Sequence, residues 1–163
     1  MGQYHLVVNL TKREFLHPHK LGAGLKLWEQ VGTHPGTAAG LLALLACSNG
    51  RGGGDLRPDN AVIGRWAGDR IAVVGDYAEA SDLPAEFDAA KIYEQCTDAQ
   101  DIPATDEQRE PGTYLDISEM VAALLERELG GKFQGDGWRE FVYPDGEAAS
   151  RAMKPDMVIV AGR

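Results

Sequence analysis

The stretch YHLVVNLTKREFLHP, Tyr4 to Pro18, decides the fold class. Tyr4 to Leu10 is dominated by β-branched, aromatic and aliphatic residues and reads as a strand. Thr11-Lys12-Arg13-Glu14 is a polar turn, and Phe15-Leu16-His17 returns antiparallel to the first strand. Pro18 cannot donate to a ladder, so the returning strand ends there or lies on an edge. A hairpin at this position argues against a chain that opens with a parallel β-α-β unit.

The rest of the chain mixes elements in the same way. Leu21-Gly22-Ala23-Gly24 is a loop, and Leu25 to Val31 is a short helix. Thr33-His34-Pro35-Gly36 breaks the chain, and Thr37 serves as the N-cap of an all-apolar helix running from Ala38 to Cys47. An all-apolar helix is expected at the centre of the core. Val62 to Trp66 and Arg70 to Tyr77 pair as a hairpin across Ala67-Gly68-Asp69. Ile92 to Cys96 is a strand, and residues 98–112 form a loop. Met120 to Leu129 is an amphipathic helix stopped by Gly130-Gly131. Trp138 to Tyr143 alternates as a strand, and Met157 to Ala161 is a final, central one. No regular β-α-β repeat appears. The expected fold is therefore α+β, with a mixed or antiparallel sheet packed on a central apolar helix and a second, amphipathic helix.

The 163 residues suit one domain, taken as 1–163, with an apolar fraction of 44% that argues against extensive disorder. No apolar run reaches the roughly 20 residues that cross a bilayer, and Thr37 to Cys47 is about half of that. No basic segment followed by an apolar one opens the chain, so a cytoplasmic location is expected. Leu6 stands where a myristoylation signal needs Ser or Thr. Cys47 and Cys96 lack metal-type spacing and are expected to be reduced thiols.

The net charge of −9 is unevenly spread. Residues 76–119 carry thirteen acids against Lys91 and Arg109, whereas residues 1–75 carry eight bases against five acids. A nucleic-acid partner calls for a basic stripe and is not expected. A small anion could be held by the basic first half, and the acidic run is either a solvated face or a docking face for a basic protein.

Four motifs could carry chemistry. Ser48 to Asp55, SNGRGGGD, follows the apolar helix, whose partially negative end does not favour phosphate. No Walker motif or GxGxxG is present. What remains is a nest of backbone N–H groups at Gly52, Gly53 and Gly54, with Arg51 supplying charge and Asp55 closing the loop; the competing reading is a helix stop and connector. In the second motif, Arg65 to Arg70, an exposed Trp66 between Arg65 and Arg70 could stack an aromatic anion, against the alternative that Trp66 packs in the core. Asp69 belongs to the turn, and Asp76 to a strand end where carboxylates can act. Third, extended backbone at His17-Pro18-His19 sets two imidazoles on one side, as a metal pair or general base needs. A third ligand would have to come from His34, His5 or an aspartate, so no metal ligand set is assigned. Fourth, Asp136 and Glu140 in Gly135 to Glu140 could join Asp76 as a carboxylate group, or simply build a turn. No serine or cysteine sits in a nucleophile motif.

The segments MGQYHLVVNLTKREFLHPHKLGAGLKLWE, SNGRGGGDL, GRWAGDRIAVVGDY and GDGWREF resemble a bacterial family of single-domain proteins that open with an MGQY…VNL…HPH…GLKL pattern. The resemblance covers most of the chain and implies one domain. It implies no activity, cofactor or site residue.

The expected function is binding of a polar, anionic small molecule, nucleotide-like or phosphate-bearing, at Arg51, Gly52 to Gly54 and Asp55, with Arg65, Trp66 and Arg70 contributing. Hydrolysis follows only if Asp55, Asp69 or Asp76 adjoins His17 and His19. The alternatives are a protein-interaction module using the acidic face, and a metal-dependent hydrolase built on His17 and His19. No cofactor is indicated.

Overall fold

The computed structural model describes residues 2–47, 60–99, 109–110 and 112–145. The opening hairpin forms as its pattern predicts, with β1 at His5–Asn9 and β2 at Glu14–Leu16 joined by Leu10 to Arg13. One boundary moves. Glu14, read as a turn residue, is the first residue of β2 and is 2% exposed. Its carboxylate is buried because Arg65 grips it with two guanidinium nitrogens and Trp66 Nε1 donates to it at 2.7 Å. A buried carboxylate survives only when so satisfied.

β1 is the centre of a four-stranded sheet in the order β3-β1-β2-β4, where β3 is Ile71–Gly75 and β4 is Leu115–Asp116. β3 and β2 are antiparallel to β1, and β4 is parallel to β2, so the sheet is mixed. The chain is α+β, folded as one compact unit. Alternation along β1 sends Val7 to one face and Leu6 and Val8 to the other, and each face has its own core. Val7 and Leu16 join Leu44, Trp66, Val121 and Leu124. Leu6, Val8 and Phe15 join Val74, Ile92, Cys96 and Tyr114.

Helices cover both faces. On the first lie α2, Gly36–Leu45, and α4, Ser118–Leu129. They approach closely at Gly40, where a β-carbon would stand 2.6 Å from Val121 Cγ1. The second face is covered by α3, Ala89–Ala99. α1, Leu27–Gly32, packs beside α2. A small hairpin of β5, Lys132–Gln134, and β6, Glu140–Val142, closes one end.

Several expectations need correction. Ile92 to Cys96 is helix, not strand: Ala89, Ile92, Cys96 and Ala99 are the buried positions of α3, at helical spacing. The helix also takes residues 98 and 99 from the expected loop. Val62 to Asp69 is a series of turns rather than half of a hairpin, and β3 pairs with β1 instead. Thr37 lies inside α2, whose N-cap is Pro35, and α2 packs Ala43 and Leu44 into the first core but is not buried all round, since Leu42 is 71% exposed. The amphipathic α4 buries Val121, Ala122, Leu124 and Leu125 on one face and ends at Gly130 in the left-handed conformation, φ 77°. The expected strand Met157 to Ala161 lies outside the described residues.

Candidate functional site

Two pockets lie at opposite ends of the β1–β2 hairpin. The first, a cleft of about 480 Å³, opens beside the hairpin loop. Its apolar floor is Leu10, Phe87, Ile92 and Tyr114, all residues of the second core or packed against it. Its walls carry Lys12, Arg13, Lys91 and Arg109 against Glu86 and Asp88. The four cations have different duties. Arg109 donates to the carbonyls of Arg13 and Lys12 at 3.0 and 2.8 Å and so pins the hairpin loop. Lys12 donates to Asp69, which also accepts from Asn9 Nδ2 at 2.8 Å. These hydrogen bonds, that from Lys12 foremost, hold the Asp69 carboxyl below the usual range. Among the described residues Lys91 has only a long pair with Asp88, 3.9 Å, on an ammonium exposed to solvent. The Arg13 guanidinium has no ion pair or hydrogen bond among the described residues. Arg13 is the only non-glycine residue with positive φ (55°) among them, and Gly112, at φ 89°, leaves room for its Nη1.

The second pocket, about 330 Å³, is lined by His17, His19, Lys20, Arg139 and the turn Gly135-Asp136-Gly137. Proline ends β2 after His17, and Pro18 to Leu21 turns as a 3-10 helix that brings His19 back beside His17, ring centroids 5.3 Å apart. Trp138 stacks on His19 at 5.1 Å and an interplanar angle of 6°, while Arg139 N–H donates to the His19 carbonyl at 2.9 Å. Burial lowers the His19 pKa, opposed by the Glu29 carboxylate, which favours the neutral ring. Both cations here are engaged: Lys20 by Asp116 at 2.8 Å, and Arg139 by both oxygens of Glu119. Arg139 in turn holds Glu119 below the usual carboxylate range.

No known protein family, curated protein or solved structure matches this chain.

Of the expected site residues, the structure brings His17 and His19 together but not the aspartates. Asp69 precedes β3 and Asp76 follows it, so they are separated by more than the strand's length, about 16 Å at 3.3 Å per residue. Asp76 accepts the Tyr4 backbone N–H at 2.9 Å and lies two strands from His17, about 10 Å across the sheet. Neither lines the histidine pocket, nor does Glu140; Asp136 does. Among the described residues no three His, Cys, Asp or Glu side chains gather as a metal site. Trp66 is fully buried, not an exposed stacking platform, and Arg65 is committed to Glu14. Arg70 pairs with Glu86 and lies over the Phe87 ring, 4.8 Å from its centroid, at the rim of the basic cleft. Arg51, Gly52, Gly53, Gly54 and Asp55 lie outside the described residues. Cys96 is buried, which raises its thiol pKa, and Cys47 is exposed and free.

The residues missed from sequence are Lys12, Arg13, Lys91 and Arg109. A signal existed: Lys91 and Arg109 are the only bases among thirteen acids in residues 76–119.

Proposed function

We propose that the protein binds a small anionic molecule bearing an apolar or aromatic portion in the cleft beside the β1–β2 loop. The observation that carries this reading is that Arg13 has no ion pair among the described residues and Lys91 only a long one with Asp88, in a chain whose net charge is −9. A guanidinium suits two oxygens of a phosphate or carboxylate, and Lys91 adds a point charge on the facing wall. Lys12 and Arg109 stiffen the loop that presents Arg13, and the apolar floor receives the uncharged part of the ligand. The size of the cleft is within the range of small-molecule sites. The glycine-rich loop and Arg51 are not needed for this reading.

A thermal-shift series with inorganic phosphate, nucleoside monophosphates and aromatic carboxylates tests it. A ligand at about 100 times its Kd adds about 2.7 kcal/mol, or about 5–10 °C for a chain of this size. Loss of that shift in Arg13→Ala and Lys91→Ala supports the site. A shift unchanged by both removes it.

A second reading, docking of a basic protein, is favoured by exposed carboxylates at Glu79, Asp82, Glu86, Glu94 and Asp98 around and along α3. Salt-sensitive binding of a basic protein that is lost on neutralising Glu94 and Asp98, and kept in Arg13→Ala, would favour it.

A further inference from the structure

β3 has a strand on one side only among the described residues. The hydrogen-bond phase of its pairing fixes which groups face the open side. Leu10 N–H donates to the Arg70 carbonyl and Asp76 N–H to the Tyr4 carbonyl, so the even-numbered residues from 70 to 76 bond to β1. In an antiparallel ladder the alternate residues face away. Ile71, Val73 and Gly75 therefore direct their N–H and C=O groups outward, the Gly75 carbonyl already accepting the Ala78 N–H at 3.1 Å. No proline or lysine within IAVVG protects this edge, and Val73, at its centre, is 48% exposed.

The geometry points to a two-fold pairing of this edge with β3 of a second copy of the chain, antiparallel and centred on Val73. This register joins Val73 to Val73 and Ile71 to Gly75, all outward-facing pairs, giving four backbone hydrogen bonds between unengaged groups, with the Gly75 carbonyls already taken by Ala78 N–H. The same register sets Arg70 of each copy opposite Asp76 of the other, on one face of the extended sheet. Two opposite-charge pairs are thus formed by one symmetry axis, which is the charge complementarity an isologous contact needs. Shifting the pairing by two residues sets Arg70 opposite Val74 or Ala78 and loses both pairs. To reach across, the half-exposed Arg70 exchanges its pair with Glu86 for Asp76 of the other copy, and Asp76 offers the oxygen not engaged by the Tyr4 N–H. Tyr77, exposed beside the same edge, adds apolar cover.

Sedimentation velocity over a broad concentration range tests the proposal, with hydrogen exchange read residue by residue. A concentration-dependent dimer is expected, in which the amides of Ile71, Val73 and Gly75 gain protection as dimer forms. Asp76→Arg faces Arg70 with like charge at two places and weakens the dimer by about tenfold or more. The double change Arg70→Glu with Asp76→Arg restores it, a rescue that loss of folding could not produce. Val73→Pro removes only an outward N–H and should also yield monomer. A wild-type monomer up to millimolar concentration, or a dimer unaffected by Val73→Pro, overturns the proposal and leaves this edge to a strand from another source.

Discussion

The two pockets hold similar residues yet differ in what their charges are free to do. In the histidine pocket both cations are already answered by carboxylates, Lys20 by buried Asp116 and Arg139 by Glu119. In the basic cleft, Lys12 and Arg109 are used to hold the loop, but Arg13 has no such partner among the described residues and Lys91 has only a long one. A charge that is already paired is part of the scaffold. A charge held in place by its neighbours and left uncompensated can act on a ligand. The β1–β2 hairpin connects both regions, so one element supplies the fixed end and the receptive end.

The strongest way to break this contrast is to damage the bar between them. Glu14→Ala would leave Arg65 and the Trp66 N–H without their shared acceptor, next to a fully buried indole. Removing one partner of a buried pair costs about 3–5 kcal/mol, and Arg65's partial exposure favours the lower end. Thermal unfolding should show a fall of about 6–12 °C. A loss below about 1 kcal/mol would mean that the pair merely decorates the fold.

Alanine substitutions at the cations then separate the regions directly. Lys20→Ala strands the Asp116 carboxylate, whose remaining hydrogen bond among the described residues is from the Ser118 N–H at 2.9 Å, and should cost about 2 kcal/mol in urea unfolding. Ligand-induced stabilisation should persist in that variant. Arg13→Ala with Lys91→Ala should do the reverse, changing intrinsic stability by less than about 0.5 kcal/mol while abolishing the response to anions. If both pairs of measurements move together, the division between scaffold charge and receptive charge is wrong.

What could be read in advance follows the range of the interactions. The opening hairpin and α4 with its Gly130 stop depend on local patterns, and both are found. α3 forms against the individual strand preference of Ile92 and Tyr93, because Ala89, Ile92, Cys96 and Ala99 repeat at helical spacing and bury one face. The pairing of β3 with β1 joins residues more than sixty apart, and no local signal specifies it. The basic cleft is further from view, since its cations come from the hairpin loop, α3 and the chain before β4. His17 and His19 do lie together, but through the 3-10 turn Pro18–Leu21 rather than the extended backbone expected of them, because Pro18 opens a turn instead of continuing the strand. Their partner Trp138 has no local signal, because its stacking on His19 spans 119 positions.

The smallest expected effect concerns that stack. Burial, opposed by Glu29, lowers the pKa of His19, so the native state prefers the neutral ring. Between its folded and unfolded pKa values the unfolded chain binds more protons, and stability therefore rises with pH. The contribution is full above the ordinary histidine value, about 6.5, and is lost as pH falls through the lower folded value. Unfolding monitored across pH 5 to 7.5 should show this slope, and His19→Gln should flatten it while leaving the anion response of the basic cleft intact. Wild-type and His19→Gln curves of equal slope would show that the His19–Trp138 stack tolerates the charged ring, through attraction of the imidazolium to the indole face. That outcome would also return His19 to the set of cations able to meet a ligand, and so narrow the difference between the two ends of the hairpin.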